Sequence, residues 1–145
     1  MNMLIHTHSG LRWIVLILLI AATFKALMKW RSNAPFTNGD RQLNLFTMIA
    51  THVQLVLGLI LLFTSTKVSF TGAAMKDPNL RFFSVEHSAM MVLAVILITV
   101  GYSKSKNVAE EIKKFKTTFI YFFLALLLIL AAIPWPFRFP NAGWF

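Results

Sequence analysis

The chain has 145 residues, of which 57% are apolar and 13% charged, with a formal net charge of +9 and no cysteine. Soluble domains sit nearer 45–50% apolar and about 25% charged, which argues against a soluble enzyme, a disordered tail or a disulfide scaffold. Without cysteine there are no thiolate metal sites, iron–sulfur clusters or covalent c-type haem.

Four apolar runs occur in chain order: Leu11–Met28, Leu43–Phe63, Phe82–Tyr102 and Phe115–Ile133, each 18 to 21 residues long. About 20 residues at 1.5 Å per residue cross the hydrocarbon of a bilayer. Apolar side chains continue all the way round each run, as they do where the outer face meets lipid. The intervening stretches read as loops: Ser32-Asn33-Ala34-Pro35 through Asn38-Gly39-Asp40, then Thr71-Gly72 through Asp77-Pro78-Asn79, then Ser103–Lys114. The expected architecture is an all-α, integral membrane four-helix up-down bundle, a single transmembrane domain over residues 1–145 with helices about 4–30, 43–64, 82–103 and 115–133. The first run lacks a basic n-region and a small-x-small cleavage site, so it reads as a retained helix rather than a signal peptide.

Charge placement sets the expected orientation. Lys25, Lys29, Arg31 and Arg41 flank the first loop, and Lys104, Lys106, Lys113, Lys114 and Lys116 the third, nine of the fourteen basic residues. Arg12, Lys67, Lys76, Arg81 and Arg138 fall on the other side. The positive-inside rule then places loops one and three in the cytoplasm and both termini on the outer, periplasmic side of a bacterial inner membrane. Trp13, Trp30, Tyr102, Trp135 and Trp144 lie at or beyond span ends, where aromatic belts form. The excess charge reports topology rather than nucleic acid: no basic face alternates with aromatics.

Few residues remain for chemistry. The acids are Asp40, Asp77, Glu86, Glu110 and Glu111, and only Glu86 lies inside a span, so paired catalytic carboxylates and carboxylate metal cages are disfavoured. The histidines are His6, His8, His52 and His87. Ionisable residues within a membrane mark functional sites by default, and histidines on separate helices of a bundle suit a b-type haem. His8 and His87 share a level if helix one extends back through Met3–Gly10, and helices one and three are diagonal in an up-down bundle. His52 with His87 is the alternative pair, with His52 near mid-membrane. Arg12 shares a face with His8, where it either meets a haem propionate or snorkels to headgroups. His6 points about 200° away from His8 and reads as an exposed residue. For His52, an interhelical hydrogen bond in the polar segment Thr51-His52-Val53-Gln54 competes with a ligand, quinone or proton role. Gly10 and Gly58 read first as packing glycines, and Met48, Met90 and Met91 as core filler beside the histidines.

Three phrases carry a resemblance: His6-Thr-His8-Ser-Gly-Leu-Arg-Trp13, Thr51-His52-Val-Gln-Leu-Val-Leu-Gly58-Leu and Val85-Glu86-His87. With the closing Ile133-Pro-Trp-Pro-Phe-Arg138, the chain resembles a small bacterial four-helix membrane family labelled "cytochrome b", and more distantly the b561-type cytochromes. The resemblance implies haem b and electron transfer; the cytochrome reading built on it places the protein in the lipid bilayer in or beside a respiratory chain, with quinol and larger respiratory complexes as partners and a quinone as a further cofactor. Two other readings stand beside it: a cofactor-free accessory subunit of a respiratory assembly, and a small copper- or proton-handling protein using His6, His8 and His52.

Overall fold

The computed structural model describes residues 2–140 and 142–144. Helix α1 is Asn2–Arg31 and α2 is Asn38–Thr64. Helix α3 covers Pro78–Asn107 and α4 covers Glu111–Ala132. All four are long and apolar enough to cross a membrane, and no strand occurs among the described residues.

Each helix starts or stops where local chemistry dictates, often several residues outside its apolar run. Helix α1 closes on Asn33, which takes the left-handed conformation (φ 51°), and Ala34 N–H returns to Lys29 O at 3.1 Å. That is the bonding of a Schellman ending, and Pro35 comes directly after it. The segment Asn38-Gly39-Asp40, expected as loop, is instead the first turn of α2. Thr37 caps it: its hydroxyl accepts from Asp40 N–H, and its own N–H donates to Asp40 Oδ2 at 2.8 Å, a reciprocal capping box. Asp77-Pro78-Asn79, also expected as loop, opens α3, with Asp77 Oδ1 accepting from Asn79 and Leu80 N–H and Pro78 in the first turn, where its missing N–H costs nothing.

Helix α3 is not uniform. Phe82–Glu86 forms a π-helical turn, and His87 N–H bonds back to Phe82 O across it. Regular α-helix resumes over His87–Asn107.

The bundle closes as a ring. Helix α1 packs on α2 and α4, and α3 packs on α2 and α4, so α1 and α3 face one another across the diagonal. Leu19, Ile98 and Phe122 are fully buried at the centre among Ala22, Ala94 and Ala125. Small residues let backbones approach closely, which is what holds helices together where lipid removes the hydrophobic driving force. Gly101 is the tightest such point: a Cβ there would overlap Tyr121 Cβ on α4.

Gly101→Ala is therefore expected to force α3 from α4 and destabilise the bundle by about 1–3 kcal/mol, read as earlier unfolding in mixed detergent titrations. Gly10→Ala is the control, since its added Cβ meets nothing within 4 Å. Equal stability of the two variants would show that the α3–α4 contact yields without cost.

Candidate functional site

At the end of the bundle holding the α1 N-terminus, the α2–α3 loop and the C-terminal tail, a cavity of about 200 Å³ opens between the helices. His8 and Arg12 from α1, Thr51, Gln54 and Gly58 from α2, and His87 from α3 line it. Of the four candidate residues, His8, Arg12 and His87 are thus brought together and His52 is not.

The diagonal placement of α1 and α3 carries the two histidines to opposite walls. Their ring centroids lie 6.4 Å apart with the planes at 76°. Helix α1 begins early enough that His8 sits more than a turn inside it. The π turn immediately before His87 resets the phase of α3 at the site, a use of π-helix that recurs at functional positions.

Hydrogen bonds fix the His87 ring. Helix α4 ends at Ala132, whose carbonyl has no partner further along the helix, and His87 Nδ1 lies 2.8 Å from that oxygen. A carbonyl only accepts, so Nδ1 carries the proton and the neutral ring keeps its lone pair on Nε2. A bond of this kind, from a ring N–H to a carbonyl, fixes both the tautomer and the orientation of an imidazole.

His8 is held differently. Its Cε1 would lie 3.1 Å from a Cβ at Gly58, so the glycine is what lets the ring rest against α2. Gln54 Nε2 donates to His8 O at 2.8 Å, tying the same two helices one turn away. The polar atoms His8 Nδ1, Arg12 Nε and Gln54 Oε1 are buried without a protein partner. All three residues line the one largely apolar cavity.

Arg12 is only 9% exposed and does not snorkel. Its Nη2 donates to Trp144 O at 2.6 Å and approaches Gly143 O at 3.5 Å. Trp13 Nε1 donates to the same Trp144 carbonyl at 3.0 Å. The indoles of Trp13, Trp135 and Trp144 lie 6.3 Å from one another, and Phe139 stacks at 4.3 Å on Phe82 of the π turn. The described part of the tail thus folds over the cavity, with Ala142 and Gly143 in its lining; Asn141 and Phe145 lie outside the described residues.

The remaining candidates are elsewhere. His52 faces outward, with Nδ1 2.7 Å from Met48 O and Nε2 3.4 Å from Thr99 Oγ1 on α3. His6 is exposed on α1. Glu86 pairs with Arg81 at 2.8 Å rather than with its neighbour His87. Among the described residues no three of His, Asp and Glu converge on one point. The π turn, the Ala132 carbonyl and the tail carbonyls escaped the sequence reading. Two are backbone acceptors, and the third is a helix variant without a composition signal.

Arg12→Ala should free the tail while leaving the helices intact, since a hydrogen bond to a charged group contributes about 1.5–3 kcal/mol. The expected reading is a diminished near-ultraviolet dichroism from the indole cluster with an unchanged far-ultraviolet helix signal. An unchanged near-ultraviolet band would mean that ring packing alone holds the tail.

Comparison with family models, curated proteins and solved structures finds no match to this chain, so a functional assignment rests on the site's own geometry.

Proposed function

We propose that the protein is a membrane-embedded b-type cytochrome, with one haem b held between His8 and His87 and electrons passed in or beside a respiratory chain. The pairing of His8 and His87 across the bundle diagonal, 6.4 Å between ring centroids, carries this reading. His8 and His87 would be the two protein ligands of the haem iron, the porphyrin supplying the others. A bare copper or zinc ion needs more ligands than two histidines give, which weakens the metal-handling alternative.

The residues present fit the group. His87 offers Nε2 with its ring held by Ala132 O, and Gly58 gives His8 room on the opposite wall. Arg12 retains an unpartnered, buried Nε, the type of donor that takes a propionate carboxylate. When bound, haem b carries one electron between its ferric and ferrous states. The walls are mostly apolar, an environment that would tune the potential of a bound haem. By the charge rule, the cavity end and both termini face the periplasm, and loops one and three the cytoplasm.

Protein purified from a haem-replete host should show a reduced-minus-oxidised α-band at one haem per chain. His8→Ala and His87→Ala should each abolish or strongly reduce it, while His52→Ala should retain it. Loss of haem in His52→Ala with retention in His8→Ala would replace the pair by His52 and His87. Wild-type protein without haem would overturn the reading and leave a cofactor-free accessory subunit.

A further inference from the structure

Helix α2 is built inside out. Its buried residues are Asp40, Asn44, Thr47 and Thr51, exposed by 3%, 5%, 0% and 2%. Gln54 and Gly58 continue the spacing of four, three, four, three and four, which keeps all six within about 40° of one helix face at 100° per residue. From Asp40 to Gln54 the face runs about 21 Å along the axis, most of a hydrocarbon core about 30 Å thick.

Each end of this face meets a cavity. At the first-loop end, a pocket of about 10 Å³ is lined by Lys25, Asp40, Asn44 and Phe115, room for about one water among polar partners. At the other end, Thr51 and Gln54 open into the histidine cavity, which reaches Ser65 and Lys67 in the α2–α3 loop. Between them stands Thr47. The groups facing the path are Lys25 and Lys29 of α1 at the entrance, both paired with Asp40 at 2.9 and 2.6 Å, and His8, Arg12 and His87 at the exit. Helix α4 adds Phe115 at the entrance pocket, and one turn further on the fully buried Thr118, whose hydroxyl has no partner.

Polar side chains in membrane helices commonly serve to join neighbours. The hydroxyls here chiefly bond their own helix: Thr47 donates to Leu43 O at 2.7 Å and Thr51 to Met48 O at 2.8 Å, while Thr47 approaches Leu18 O of α1 only at 3.4 Å. With its proton turned to the backbone, each hydroxyl keeps lone pairs that accept from water. Asp40 and Gln54 tie α2 to α1, but the hydroxyls between them bond chiefly their own helix, so helix cohesion accounts for little of their alignment between the two cavities.

We propose that the α2 face formed by Asp40, Asn44, Thr47, Thr51 and Gln54 is a proton path joining the first-loop surface to the histidine cavity. A proton enters from the first-loop surface beside Asp40 and one leaves at the cavity end. No electrons move, and the path is left in its starting protonation state. Haem is not required for it.

The test is proton flux into vesicles of neutral lipid carrying the full-length protein, driven by a potassium diffusion potential and read by a trapped pH dye. Wild type should exceed protein-free vesicles. Thr47→Val, which removes the α2 hydroxyl between the two cavities, should lower the flux about tenfold, the effect of roughly one hydrogen bond on a barrier. Thr47→Ser should restore it, and Ile49→Val on the outward face should leave it unchanged. Thr51→Val is the second variant should Thr47→Val fold poorly, as judged by its elution and helix signal. Wild-type flux equal to that of protein-free vesicles, or valine variants that conduct like wild type, overturn the proposal. Because the readout needs no haem, failure here and failure of the cytochrome reading are separate results.

Discussion

Four helices long and apolar enough to cross a membrane leave few places for polar side chains. A hydroxyl, amide, imidazole or guanidinium facing lipid costs several kcal/mol unless it finds a partner, so most of these groups turn toward the bundle axis or toward the ends, and the outward His52 bonds its own helix at Met48 O. Arg12, Thr47, Thr51 and Thr118 are buried, whereas Ile17, Phe24, Phe46, Val56 and Leu127 are exposed. The result inverts a soluble protein along α2, and it concentrates reactive groups in one interior. Ion pairing secures the first-loop end, where one carboxylate, Asp40, serves the capping box and two lysines at once. At the opposite end the polar groups are only partly matched, and there the cavity lies.

That contrast explains why α3 carries its irregularity where it does. A π turn adds a residue to one turn of helix, which rotates the downstream part of α3 by about 100° relative to the upstream part. Before the reset, Phe82 packs on Phe139 of the tail. Within it, Ser84 Oγ accepts from Ser69 N–H of the loop at 2.9 Å. After it, His87 reaches both the cavity and the end of α4. One helix phase has to serve the tail and loop, and another the site. The carbonyl that holds His87 is free because α4 stops at Ala132, where Ile133 turns to extended backbone ahead of Pro134, as the residue before a proline must.

The four helices were legible because hydropathy over some 20 residues is a bulk property that no local detail reverses. Their ends were less so. The apolar run of α2 starts at Leu43, but Thr37 and Asp40 extend the helix outward by a capping exchange that a hydropathy window does not register. At the site, His8, Arg12 and His87 were identifiable because ionisable groups in a span are few, and the diagonal relation of helices one and three comes from short connections. His52 was equally conspicuous in the sequence yet sits on the outward side, bonded to its own helix. A difference of one residue, Thr51 inward and His52 outward, is a rotation of about 100°. Sequence spacing resolves that only once the face is known. The regular series from Asp40 to Gly58 marks the face, but an apolar scan counts those residues as interruptions.

Arg12 shows why the tail escaped a residue-by-residue reading. Its acceptors are the main-chain oxygens of Gly143 and Trp144, and any residue provides those. The positions are fixed from the other side, by Trp13 donating to the Trp144 carbonyl and by the indoles that gather around it. A guanidinium has five N–H donors in a rigid fork. The tail engages Nη2, while Nε stays buried and unmatched beside His8 and Gln54. The same cation therefore has one edge that closes the bundle end and one that faces the cavity. Any anionic group entering the cavity meets a charge already held in place by neutral carbonyls, which fix its position without cancelling its charge.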